Sequence, residues 1–107
     1  MPGITSVTQE TDKSTGVTIN KMDGVITMNG AALAAGAEAT FTVTNSRMRS
    51  EDVVVVNHKS GGTLGAYAAF ANTNADGSFK ITVTNLSAGS LSEAIVLQYQ
   101  IERSGYT

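Results

Sequence analysis

The few side chains in this chain that could do chemistry are scattered along it. His58 is the only histidine, and Asp52 and Ser60 are the residues nearby in sequence that could join it in a triad. A triad needs nucleophile, imidazole and carboxylate in contact around one reacting atom. In a strand-like run, residues 58 and 60 are not brought together around a substrate. We therefore interpret His58 as a histidine that flanks a turn, with a pH-sensitive contact as its alternative role, and we predict no catalytic residue.

Residues 72–77, with the sequence Asn-Thr-Asn-Ala-Asp-Gly, have some features of a calcium loop. Oxygen-bearing side chains stand at positions one, three and five, and glycine stands at position six. An EF-hand loop also needs a glutamate at position twelve, where this chain has Val83, and flanking helices, which the pattern does not predict. Asn, Asp and Gly supply the dihedral angles of tight turns. We predict a hairpin turn here, no metal site and no cofactor.

Composition and charge argue against several classes of protein. The net charge is −2 and only 15% of the residues are charged. Arg47 and Arg49 form the longest cationic cluster, whereas a nucleic-acid-binding domain normally carries a basic patch. No cysteine is present, no signal-peptide pattern opens the chain, and no apolar run approaches the roughly 20 residues that span a membrane. We expect a soluble protein with neither nucleic-acid nor membrane partners.

The alternation of apolar and polar side chains along the sequence predicts an all-β domain. The tetrapeptide Thr-Val-Thr-Asn occurs at residues 42–45 and again at residues 82–85. Apolar and polar residues alternate over residues 38–44 and 78–85, with Phe41 and Phe79 on the apolar faces. A period of two predicts half-buried antiparallel strands, and the repeat predicts a unit built from two similar halves.

Turn signals recur every 8–12 residues or so, as in sandwiches and jelly rolls. Asp-Gly at residues 23–24 and Asn-Gly at residues 29–30 predict hairpin turns. Residues 31–37 predict one helical turn or a connecting loop. Residues 52–58 are apolar on both faces, which favours a central strand or one at a subunit contact, and residues 92–103 predict the longest strand.

The predicted architecture is a jelly-roll-like antiparallel β-sandwich of seven or eight short strands over residues 16–107. Residues 1–15 are mostly polar and predict an N-terminal arm, with a short edge strand as the alternative, because chain termini are loosely held unless other contacts fix them.

Several stretches, in their order along the chain, resemble short virion proteins of tailed phages. They include Lys-Ser-Thr-Gly-Val-Thr-Ile-Asn at residues 13–20 and Asp-Val-Val-Val-Val-Asn-His at residues 52–58. The stretch that matches best is Ala-Gly-Ser-Leu-Ser-Glu-Ala-Ile-Val-Leu at residues 88–97. The resemblance covers nearly the whole chain after residue 4, and it extends both to stand-alone capsid decoration (cement) proteins and to the C-terminal ends of phage spike or fibre proteins.

The resemblance implies a non-catalytic homotrimer on the capsid exterior, assembled in the host cytoplasm, that binds and bridges major capsid proteins. A trimeric spike, fibre or receptor-binding module is the alternative. We predict partner contacts at Ile4 and Val7, which would anchor the N-terminal arm, and at Arg47 and Arg49, whose alternative is a solvated turn. Deleting residues 1–14 is expected to weaken capsid binding and to leave the fold intact.

Overall fold

The structure is a computed structural model that describes residues 5–103, and these residues form eight strands and no helix. The strands are β1 (Ser6–Thr8), β2 (Val17–Thr18), β3 (Asp23–Thr27), β4 (Glu38–Thr44), β5 (Val53–Ser60), β6 (Tyr67–Ala75), β7 (Ser78–Asn85) and β8 (Val96–Glu102). The longest of them is β6, with 9 residues, rather than the last strand, which covers 7.

The strands form two four-stranded sheets with matching connections. The first sheet has the order β1-β3-β8-β5 and the second has the order β2-β4-β7-β6. β3 pairs with β8 and β4 pairs with β7, while β6 and β7 form the hairpin at the centre of this nested arrangement. Nested pairing across two sheets is the pattern of a jelly roll, so the predicted all-β sandwich of seven or eight strands is confirmed.

Two short pairings make the sheets mixed rather than purely antiparallel. β1 runs parallel to β3, and β2 runs parallel to β4. These strands come from the N-terminal segment, which extends each sheet at the same side of the sandwich. The other side carries the long edge strands β5 and β6. Each long edge strand has a register shift, and such irregularities hinder pairing with other chains.

The core lies between the inner faces of the two sheets, where the alternation predicted it. Phe41 and Phe79 of the second sheet are 2% and 0% exposed, and Tyr99 of the first sheet is 1% exposed. The rings of Phe79 and Tyr99 are 5.5 Å apart, so aromatic packing joins the sheets. Burying a side chain of this size contributes roughly 1.5–3 kcal/mol, which makes these residues the principal anchors of the fold.

The repeated tetrapeptide has a structural explanation in its two asparagines. Asn45 directly follows β4, Asn85 is the last residue of the neighbouring strand β7, and both are fully buried. Each Oδ1 accepts a hydrogen bond from the backbone N–H two residues ahead, at 2.9 Å in both cases. Each Nδ2 donates to a distant backbone carbonyl, that of Lys21 at 2.7 Å and that of Leu33 at 2.8 Å. The amide side chains thus form Asx turns and tie opposite ends of the sandwich.

The predicted hairpin at residues 23–24 is wrong, because β2 and β3 belong to different sheets. Asp23 and Gly24 lie inside β3 instead. A Cβ atom added to Gly24 would stand 2.5 Å from Ile19 Cδ1 and 3.1 Å from the Thr5 carbonyl oxygen. Close packing around the backbone therefore explains why glycine stands here. The Asp-Gly pair alone could not separate this role from that of a turn residue.

Residues 28–37 form a connecting loop between the sheets, so the predicted hairpin at residues 29–30 is also wrong. The loop contains no helical turn, in agreement with the second of the two alternatives for residues 31–37. Leu33 is buried and forms an isolated antiparallel bridge with Leu91. This contact fixes the loop against the segment that precedes β8.

The apolar run at residues 53–56 is an edge strand, so the prediction of a central strand covered on both faces is wrong. β5 pairs only with β8 within its sheet. Its inward residues are half-buried, whereas Val53 and Val55 point outward and are 50% and 47% exposed. Exposed valines on an edge strand leave open the alternative that this strand lies at a subunit contact.

The described part of the predicted N-terminal arm, residues 5–15, lies against the sandwich. β1 pairs with β3, and Gln9 and Lys13 are 2% and 4% exposed. Lys13 Nζ donates to the carbonyl of Glu93 at 2.7 Å and to that of Asn29. Desolvation lowers the pKa of Lys13, and the nearby carboxylate of Glu93 opposes this shift.

Candidate functional site

Arg47 and Arg49 lie in the loop between β4 and β5, where backbone contacts hold the loop in shape. Met48 between them is 2% exposed and anchors the loop in the core. The Arg49 N–H donates to Asp52 Oδ2 at 3.1 Å, and the Ser50 N–H reaches across to Asp76 Oδ1 at 3.0 Å. The two exposed arginine side chains therefore project from a loop whose backbone is already ordered.

Arg103, directly after β8 of the first sheet, also holds this loop in place. Its Nη1 stands 2.6 Å from Asp52 Oδ2, and the Asp52 side chain is fully shielded from solvent. Its Nη2 donates to the Arg47 carbonyl at 2.9 Å. A guanidinium that bonds a buried carboxylate and a loop carbonyl together restricts the loop more strongly than an exposed ion pair does.

An open groove of about 420 Å³ lies between the β4–β5 loop and the β6–β7 turn. Its walls are Ser46, Met48, Arg49, Ser50, Glu51, Asp76 and Gly77. We call residues 46–53 together with residues 76–77 the terminal surface. It includes the half-exposed Val53 and carries arginine, glutamate and aspartate side chains. A guanidinium here could donate two parallel hydrogen bonds to a partner's carboxylate.

The structure places the predicted partner residues in different parts of the molecule. Arg47 and Arg49 share the terminal surface. Val7 lies in β1, is half-buried and packs against the core, beside Ile26 of β3. Ile4 lies outside the described residues. The sequence did not identify three further residues of this region. Two of them, Val53 and Asp76, belong to the terminal surface, and Arg103 supports it. Their positions depend on strand pairing, which the sequence pattern did not predict.

A second polar cluster lies at the opposite end of the sandwich. Glu93 accepts hydrogen bonds from the Thr63 N–H at 3.0 Å, from the Thr63 hydroxyl at 2.9 Å and from the Tyr67 hydroxyl at 2.9 Å. The bond from the Thr63 backbone is the main cause that lowers the pKa of Glu93. Burial, and then the contact with Glu93, raises the pKa of Tyr67 to about 12. This cluster fixes the β5–β6 loop.

His58 borders this cluster, as expected for a histidine that flanks a turn. Its ring stands edge-on to Tyr67 at 5.5 Å between centroids, and its Nε2 lies 2.7 Å from the Gly61 carbonyl oxygen. Asp52 precedes β5 whereas His58 is near the end of this strand, so the two do not meet around one substrate atom. Residues 72–77 form the end of β6 and the turn into β7, in agreement with the predicted hairpin.

Between residues 5 and 103, no three His, Cys, Asp or Glu side chains gather closely enough to hold a metal ion. Over the same residues the structure has no helix of the length and apolar character needed to cross a membrane. Comparisons of this chain with protein-family models, with curated protein sequences and with solved structures found no match.

Proposed function

We propose that this chain is a non-catalytic structural protein of a phage virion that decorates the capsid exterior. In this proposal it binds the major capsid protein as a homotrimer and stabilises contacts between capsid subunits. The resemblance of its motifs, in order along the chain, to cement proteins supplies the class of partner. The terminal surface supplies a site at which such a partner could bind.

The observation that carries the proposal is the ordered, chemically mixed character of the terminal surface. Met48 and the Asp52–Arg103 pair hold its backbone in place, so binding there loses little backbone conformational entropy. Val53 offers an exposed apolar side chain, Arg47 and Arg49 offer cationic groups on the same terminal surface, and arginine is enriched among the residues that dominate binding energy. Protein interfaces commonly combine these features.

The test is binding of purified protein to capsids assembled without it. A variant that carries Arg47→Glu and Arg49→Glu, and a second variant with Val53→Asp, should each bind at least about tenfold more weakly, which corresponds to about 1.4 kcal/mol. All three positions are exposed, so the fold should be retained.

Lys80→Glu is the matched control, because Lys80 is exposed on the outer face of the second sheet and the substitution also reverses a charge. The control should bind capsids as the parent chain does. Undiminished binding of both terminal-surface variants would contradict the assignment of this surface, and failure of the parent chain to bind any capsid would contradict the proposed function.

A further inference from the structure

The outer face of the first sheet contains a small depression that is separate from the terminal surface. Its volume is about 160 Å³, and it is lined by Asp23, Val55, Asn57, Gln98, Tyr99 and Gln100. A cavity of roughly 150 Å³ accommodates one benzene-sized ring. The depression is therefore large enough for one six-membered ring, and it is too small for a folded partner to enter.

Strand pairing brings the polar side chains of the depression together from three strands. Asp23 of β3 stands opposite Gln100 of β8, which stands opposite Val55 of β5. In the next row outward-facing Gln98 stands opposite Asn57. Cross-strand partners share a face and lie about 5 Å apart, and the two rows are about 7 Å apart along the strands. Three amides and one carboxylate thus converge on one ring-sized space.

These four polar side chains make no hydrogen bond to any other described residue, in contrast to the asparagines that tie the loops. Each amide offers two N–H donors and a carbonyl acceptor, and the carboxylate offers acceptors only. Hydroxyl groups are both donors and acceptors, so a ligand rich in hydroxyls matches this set. Val55, which is 47% exposed, provides an apolar contact at the edge for the C–H groups of a ring.

Other ligand classes fit this set less well. An anion would be repelled by Asp23, the one charged residue that lines the depression. A calcium ion takes six to eight oxygen ligands, usually with several carboxylates, and this depression has one carboxylate. We propose that the depression formed by Asp23, Val55, Asn57, Gln98 and Gln100 binds one neutral sugar residue of a glycan. This inference stands independently of the proposed capsid function.

The experiment is an NMR titration of ¹⁵N-labelled full-length chain with D-glucose, D-galactose, D-mannose and N-acetyl-D-glucosamine, each tested separately at millimolar concentrations. At least one sugar should produce saturable shifts concentrated at residues 23, 55, 57, 98 and 100. The variant that carries Gln98→Ala and Gln100→Ala should bind that sugar about tenfold more weakly, as expected when it loses hydrogen bonds from two amides.

Lys80→Ala, on the outer face of the opposite sheet, should leave the sugar affinity unchanged, and the dispersion of each variant's own spectrum reports whether it folds. Absence of saturable shifts with all four sugars would overturn the proposal. So would shifts that the glutamine variant does not weaken, or a saturable response of these residues to calcium chloride alone. If the glutamine variant does not fold, Asn57→Ala replaces it under the same criteria.

Discussion

Two single side chains, Asn45 and Asn85, connect loops at the two ends of the sandwich by hydrogen bonds. Each has a buried amide that satisfies both a local N–H and a carbonyl from a distant loop. Removing the Asn45 side chain loses three hydrogen bonds, and removing that of Asn85 loses four. Each such hydrogen bond contributes about 0.5–1.5 kcal/mol net. The repeated tetrapeptide therefore forms the same Asx turn at the end of both strands.

Replacing either asparagine with alanine should lower the free energy of unfolding by about 2 kcal/mol, because each substitution removes several hydrogen bonds of a buried side chain. Urea unfolding of Asn45→Ala and Asn85→Ala measures this effect. Asn57→Ala is the control: the Asn57 side chain is exposed and makes no hydrogen bond to any described residue, so its loss should change stability by less than about 0.5 kcal/mol. Equal stability of all three variants would contradict the role of the two buried amides.

Two tyrosines should make the fold sensitive to alkaline pH. Burial is the main cause that raises the pKa of both Tyr67 and Tyr99 from 10.0 to about 12. Between these values the unfolded chain loses phenol protons that the folded chain retains, so stability should fall as pH rises from 10 to about 12. Lys13 acts in the opposite sense, since its lowered pKa adds stability with rising pH until its ordinary value of 10.5.

Ultraviolet absorbance of phenolate, followed together with circular dichroism, measures this titration. Tyr67 and Tyr99 should ionise only near pH 12 and together with loss of structure. Ionisation of all the tyrosines near pH 10 in a protein that is still folded would contradict the burial of these two side chains. Tyr67→Phe is the matched variant, and its phenolate signal should lack one of the late-ionising groups.

At the scale of the elements, local sequence patterns predicted where several strands lie but not which strands pair with one another in the sheets. Alternation placed β4 and β7 at the residues where the structure has them, because the inward-facing residues of both strands are buried. The outward face of β4 is exposed or half-buried, whereas on that face of β7 Lys80 is exposed and Thr82 is buried as well. The four valines of β5 carry no such contrast, and sequence alone could not show that two of them face solvent. Pairing of Asp23 with Gln100 joins residues far apart in the chain, so the depression was also beyond local prediction.

Strand β1 and the segment after it contribute to stability, which changes the expectation for a truncated chain. Deleting residues 1–14 removes the pairing of β1 with β3 and the buried side chains of Gln9 and Lys13. Lost hydrogen bonds and exposed core surface should lower the free energy of unfolding by about 3 kcal/mol or more. Urea unfolding measures this, and an unchanged midpoint would show that the segment does not support the fold.

Arg47→Ala in the full-length chain is the comparison for this deletion, because it alters an exposed side chain and removes no strand pairing. Its unfolding midpoint should equal that of the parent chain. Capsid binding by the truncated chain is informative only after its stability is known, since weaker binding could follow from partial unfolding.

At the scale of the whole molecule, the sandwich separates its surfaces. The terminal surface occupies one end, the Glu93 cluster the other, and the ring-sized depression lies on the outer face of the first sheet. Nested pairing of β3 with β8 and of β4 with β7 holds these surfaces on one double-sheet core. A rigid body with several separate surfaces suits a protein that contacts a capsid through one region and leaves another exposed.

The most direct test of the proposed function is the copy number of this chain in purified virions, measured by quantitative mass spectrometry against the major capsid protein. A decoration protein should be present in hundreds of copies, in a simple ratio to the capsid subunits. A count between three and a few tens would indicate a spike or fibre instead, and complete absence from virions would contradict the structural role altogether.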